Sequence, residues 1–191
     1  MKNNMLNTFM VYVENKPGVL TRVASLFRRR AFNIDSLTVG RTEKPEVSRM
    51  TITVDADRDQ ARRIEANLYK LVNVLLVENI TNQAAIVRDL AMIRVAARHE
   101  ARSHVLELAN VFRARVVDVA PESLTIEITG AEDKIDGLLE LLRPYGILEM
   151  VRTGIVAMRR GSQSANGATP AASGVGGNHN GAGNDDVSYS V

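Results

Sequence analysis

Glu14-Asn15-Lys16-Pro17-Gly18-Val19-Leu20 is where an apolar alternating run through Phe9, Val11 and Val13 stops and an amphipathic segment begins. It reads as a strand, a tight loop and a helix start. Pro17 suits a first helical turn, because the N–H it lacks is one the helix could not use, and Gly18 lets another group approach the backbone closely. Asn15 sits where a capping side chain is expected. A helix opened by glycine has free amides with no bulky side chain over them, and these can receive a small carboxylate. The same residues also make a serviceable turn with no ligand, and local chemistry alone leaves both readings standing.

On either side of this turn, Thr8 to Glu14 is a strand, and Gly18 to Arg30 is a helix with Val19, Leu20, Val23, Leu26 and Phe27 on its core face. Arg28-Arg29-Arg30 complements the dipole at its end. Ile34 to Thr42 and Ser48 to Val54 form a hairpin around Glu43-Lys44-Pro45-Glu46. Asp55-Ala56-Asp57 opens a second helix carrying Ala61, Ile64, Leu68 and Leu71, and Val72 to Glu78 closes the set. Strand, helix, strand, strand, helix, strand folds as an antiparallel four-stranded sheet with both helices on one face, the split βαβ arrangement.

After a polar connector at 81–86 the same order recurs. Leu90 to Ala96, a helix marked by Ala101, Val105, Leu108 and Phe112, and a hairpin of Val116 to Ala120 with Leu124 to Thr129 come first. A helix with Ile135, Leu138, Leu139 and Leu142, then an extended stretch from Ile147 to Met158 bent near Gly154, complete the second copy. The expectation is an α+β chain of two ferredoxin-like βαββαβ units, 5–80 and 87–160. Residues 161–191 hold Gly, Ala, Ser and Asn with hardly a large apolar side chain, so they read as a disordered tail.

Composition narrows the chemistry. A chain of 191 residues, 45% hydrophobic and 24% charged with a formal charge of +2, is an ordinary globular composition that argues weakly for nucleic acid or an anionic membrane. With no cysteine there is no disulfide framework or thiolate site, and no apolar run is long enough to span a bilayer, which makes the cytoplasm the default. His99 and His104 are not spaced as a zinc pair and His179 lies in the tail, so no metal site is expected. Phosphate loop, dinucleotide fingerprint and nucleophile elbow are all missing, and no catalytic residue is assigned. An RNA-binding sheet needs central aromatics, and only Phe9 and Tyr12 are offered.

Together with Glu14 to Leu20, the segments Asn33-Ile34-Asp35-Ser36-Leu37-Thr38-Val39, Ser48-Arg49-Met50-Thr51-Ile52 and Phe112-Arg113-Ala114-Arg115-Val116-Val117-Asp118-Val119 carry a resemblance. The first half resembles an ACT domain, and residues 7–161 as a whole resemble the regulatory small subunit of acetohydroxyacid synthase (acetolactate synthase). The resemblance implies a non-catalytic subunit of branched-chain amino acid biosynthesis that forms a homodimer through its ACT domains. It further implies activation of a catalytic large subunit, and feedback inhibition by valine or a related branched-chain amino acid. Thiamine diphosphate, FAD and magnesium would belong to that partner, with no cofactor in this chain. The effector residues it implies are Asn15, Gly18, Val19 and Leu20 from one protomer, with Asn33 and Ile34 after the first helix, Asn33 coming from the neighbour. Ala31 and Ala114 stand where the family usually has glycine, which puts a positive φ in question at both. A free-standing amino-acid sensor is the alternative.

Overall fold

The computed structural model describes residues 5–161, so the tail read beyond Gly161 lies outside the described residues. Its first unit runs β1 (Met5–Glu14), α1 (Val19–Arg29), β2 (Ile34–Arg41), β3 (Val47–Ala56), α2 (Arg58–Leu68) and β4 (Val74–Asn79). The strands lie side by side in the order β2-β3-β1-β4, all antiparallel, as the split βαβ topology requires. Alternation along β1 and β3 sends Phe9, Val11, Val13, Met50, Ile52 and Val54 to the helix side. There they meet Val19, Val23, Leu26 and Phe27 of α1 and Ala61, Ile64 and Leu68 of α2. Each such side chain removed from water contributes about 1.5–3 kcal/mol, which fixes the register because a one-residue slip would expose the whole row. Asp57 caps α2 by accepting from the Gln60 amide at 2.8 Å while the Gln60 side chain accepts from the Asp57 amide at 2.9 Å.

The second unit repeats the plan with β5 (Ala85–Ala96), α3 (His99–Val111), β6 (Arg115–Val119), β7 (Ser123–Gly130), α4 (Glu132–Leu142), β8 (Ile147–Arg152) and β9 (Val156–Arg159). The sheet order is β6-β7-β5-β8, with Ala91, Ile93, Val95, Leu124, Ile126 and Ile128 packed under α3 and α4. One boundary departs from the sequence reading. The fifth strand begins at Ala85, inside the stretch read as connector, because its first residues pair with β9: Ala85 opposite Arg159 and Arg88 opposite Val156. That pairing joins segments distant in sequence, and local composition does not announce it. The expected bend appears at Gly154, which has φ 83° and separates β8 from β9.

One face of the β5–β9 ribbon rests on the back of the first sheet. Ala85, Val87, Ile155 and Ala157 enclose Met10 and Ile80 there, and Arg159 pairs with Glu78 at 3.3 Å. The long strand β5 therefore serves two cores, one through its first half and the other through its second.

Candidate functional site

The loop after β1 is laced to the β2–β3 turn. The Asn15 amide donates to the Glu46 carbonyl at 2.7 Å and its Nδ2 donates to the Pro45 carbonyl at 2.9 Å. Asn15 is therefore not the helix cap that its position suggests. Gly18 is the cap residue, in the left-handed region at φ 80°, ψ −8°, with no side chain bonded to the first turn. A Cβ placed there would meet nothing within 4 Å, and the first turn carries no acidic residue. The amide of Val19 is turned back on the Lys16 carbonyl at 3.4 Å, while Leu20 and Thr21 follow with no capping side chain. The N-terminal end of α1 is thus an open, electropositive corner.

A network that the sequence reading did not single out holds this corner. Asn73, in the loop before β4, donates through Nδ2 to the Glu14 carboxylate at 2.5 Å and accepts at Oδ1 from Arg22 Nη1 at 2.7 Å. The Glu14 amide donates to the Asn73 carbonyl at 2.9 Å, and Lys16 Nζ lies 3.2 Å from the Glu14 carboxylate. The Asn73 amide, with Lys16 beside it, holds the Glu14 carboxyl below its ordinary value. End of strand, start of helix and far loop are thereby fixed to one another. The available signal was a carboxylate closing an otherwise apolar strand.

Val19 is buried and packs in the core, but Leu20, expected on the same face, is 44% exposed and stands beside the corner. The reason is angular: one residue on, a side chain turns about 100° away from the stripe formed by Val19, Val23, Leu26 and Phe27. Asn33 and Ile34 follow α1 at its other end. Helix α1 closes with the Phe32 amide on the Phe27 carbonyl at 3.1 Å and the Ala31 amide on the Arg28 carbonyl at 3.2 Å, a Schellman ending completed by an edge-on Phe27–Phe32 contact. Ala31 sits at φ 54°, so the non-glycine residue there is in left-handed backbone. Asn33 is exposed and Ile34 half-buried against the core. Since α1 has 11 residues, about 16 Å of helix separates Gly18 from Asn33. Within one chain the structure does not bring the two halves of the expected site together.

The family described as "AHAS small subunit-like ACT domain" matches residues 9–76, and the one described as "Small subunit of acetolactate synthase" matches residues 88–161. A probable acetolactate synthase small subunit from Archaeoglobus fulgidus is 52% identical over 159 residues, covering 83% of this chain and 99% of that protein. The chain belongs to the acetolactate synthase small-subunit family. The acetolactate synthase small subunit of Mycobacterium bovis is 48% identical over 155 residues, covering 81% of this chain and 92% of its own length. A crystal structure of the acetolactate synthase small subunit from Thermotoga maritima superposes with a TM-score of 0.76 at 40% identity, over 82% of this chain and 98% of that one. As a member of this family the chain is a regulatory small subunit and not the catalytic one. The ACT match spans all of Asn15, Gly18, Val19, Leu20, Asn33 and Ile34. Among the described residues no helix is long and apolar enough to cross a membrane.

Proposed function

We propose that this small subunit binds valine, or a related branched-chain amino acid, between the ACT units of two copies. It activates an acetolactate synthase catalytic subunit in the cytoplasm and, with the amino acid bound, holds that partner back. The observation that carries the reading is the uncapped α1 start at left-handed Gly18, with nothing within 4 Å of where a side chain would stand. A small carboxylate approaching the amides of the first turn meets the positive end of the helix dipole and no competing side chain. Asn15 spends its Nδ2 on Pro45, which leaves its Oδ1 to accept from an ammonium group. Exposed Leu20 supplies apolar surface for a branched side chain.

Asn33 enters from a second copy, because in its own chain it stands at the opposite end of α1. Strand β2, which begins beside it, is an edge of the first sheet, so its outer backbone groups are free to meet another chain. Thiamine diphosphate, FAD and magnesium serve the catalytic partner's chemistry. This chain contributes a ligand-sensitive surface.

The test pairs two measurements. Catalytic-subunit activity is followed with and without this chain and titrated with valine, leucine and isoleucine, and sedimentation of the small subunit is run with and without saturating amino acid. Activation, inhibition by at least one of the three, and a dimer tightened by the ligand through linkage are expected. A dimerisation constant indifferent to saturating ligand counts against a shared site. Ligand binding without any effect on a catalytic partner favours a free-standing sensor.

A further inference from the structure

We infer that the corner Thr153-Gly154-Ile155, between β8 and β9, is the element through which the ligand state of the ACT unit reaches the second unit, by way of its contact with β2. The inference rests on the function proposed above and adds to it the route by which the site is read.

The contact begins where the site ends. Register slips between Ile34 and Ser36 at the start of β2, and the hydroxyl of fully buried Thr53 fills the gap. It accepts from the Ser36 amide at 2.9 Å and lies 2.8 Å from Ser36 Oγ and 3.2 Å from Asp35 Oδ2. A ladder pair has been exchanged for side-chain bonds at this point, so the strand next to Asn33 is irregular there, as the sheet also is at Tyr12–Val13.

Further along the same strand, Thr38 Oγ1 donates to the Ile155 carbonyl at 2.7 Å. Gly154 approaches so closely that a Cβ on it would lie 3.2 Å from Ser36 Cβ, and its φ of 83° independently calls for glycine.

On its far side the corner is tied rigidly into the second unit. Thr153 Oγ1 donates to Asp89 Oδ1 at 3.1 Å, and Arg152 donates through Nε to Asp89 Oδ2 at 2.7 Å and through Nη1 to Asp136 of α4 at 2.9 Å. Asp89 is buried, so its bonds from Arg152 and Thr153 are partly shielded from water, while the Arg152–Asp136 pair is exposed. A ligand that moves Asn33 and Ile34 therefore moves Ser36 and Thr38 against a corner clamped to β5 and α4. The Thr38 bond and the approach of Gly154 to Ser36 border an open cleft lined by Asp35, Leu37, Asp89 and Arg152, so these few contacts are the ones through which a shift of β2 reaches the corner.

The experiment uses the full chain with its catalytic partner, comparing wild type, Thr38→Val, Thr38→Ser and Gly154→Ala. Calorimetry measures valine, leucine and isoleucine binding to the small subunit. Hydrogen exchange over 147–159 and activity of the complex are measured with and without saturating ligand. Thr38→Val keeps the shape and removes the donor, so it should bind ligand within about twofold of wild type. Its ligand-dependent change in exchange and in activity should shrink by about fivefold, the low end of usual coupling factors. Thr38→Ser restores the donor and should transmit as wild type does, and Gly154→Ala, which forces the corner off Ser36, should behave as Thr38→Val. If wild type binds and responds while Thr38→Val and Gly154→Ala respond as fully, the inference is overturned and the proposed function stands. If wild type binds none of the three amino acids, the proposed function fails and takes the inference with it.

Discussion

The two units place the same corner 82 residues apart and treat it in opposite ways. Ala31 and Arg113 are the paired left-handed residues after α1 and α3, and the bulges between Tyr12 and Val13 and between Arg94 and Val95 recur at the same interval. On that spacing Asn15 corresponds to Ala97 and Gly18 to Glu100. In the second unit the corner is filled from within. Arg98 forms an ion pair with Glu122, the Arg102 guanidinium donates to the carbonyls of Ala97, Ala120 and Pro121, and Glu100 occupies the first turn of α3. In the first unit a bare glycine leaves the helix end open. Neither helix start has a side-chain cap bond, so the same topology yields one corner opened by a bare glycine and one that carries an acidic residue in its first turn.

The hardest blow to this contrast is Gly18→Asp, which puts a carboxylate over the amides proposed to receive the ligand. Loss of the valine response is expected, with about 1 kcal/mol of destabilisation because Gly18 has φ 80°, a backbone that Asp tolerates better than most residues. The readout is activity of the complex titrated with valine, alongside a thermal melt. The mirror change, Glu100→Gly, should leave the valine response as it is. A folded Gly18→Asp that remains as sensitive as wild type, or a Glu100→Gly that loses sensitivity, breaks the comparison.

Next in size is Asn73→Ala. It strips partners from Glu14 and Arg22 together, so a loss of about 1–3 kcal/mol is expected in chemical denaturation. A drop below half a kcal/mol, on the order of an ordinary surface change, would show that the network does not hold the corner.

The matched helix endings allow a smaller test. Ala31→Gly and Arg113→Gly should each stabilise by about 1 kcal/mol, since both residues are exposed and left-handed. Ala114 is different. Although the resemblance implied glycine there, Arg113 takes the positive φ, and Ala114 packs against the second core with its amide on the Ala109 carbonyl at 2.8 Å. Ala114→Gly should therefore destabilise, and equal signs for the two neighbours would refute the register of this ending.

The smallest effect is a pH dependence. The Glu14 carboxyl lies below its ordinary value of 4.5 when folded, so the chain gains stability from it above that value and loses it as pH falls through the lower folded one. The difference in melting temperature between wild type and Glu14→Gln should narrow as pH is taken below 4.5. A difference independent of pH would mean that the carboxylate's charge contributes nothing to the corner.

Much of this architecture was legible because it is local. Alternation at Phe9, Val11 and Val13 and the stripe Val19, Val23, Leu26 and Phe27 report which face is buried wherever the element sits. Gly18 and Asp57 announce helix starts for reasons contained in a few bonds. Asn15 was misread as a cap because its competing acceptor, the Pro45 carbonyl, lies across a hairpin. Asn73 carried no local signal, being one more polar residue in a turn.

Residues close along the chain dictate two βαββαβ units, a helix opened by glycine and the residues around that opening, since period, turn chemistry and capping depend on near neighbours. Packing between distant segments did the rest. It set Gly18 in left-handed backbone, turned Leu20 outward, parted Asn33 from Asn15 by the length of α1, and laid β9 on β5 so that Ile155 meets Thr38. Such contacts join groups far apart along the chain, and their geometry exists only once both cores have packed.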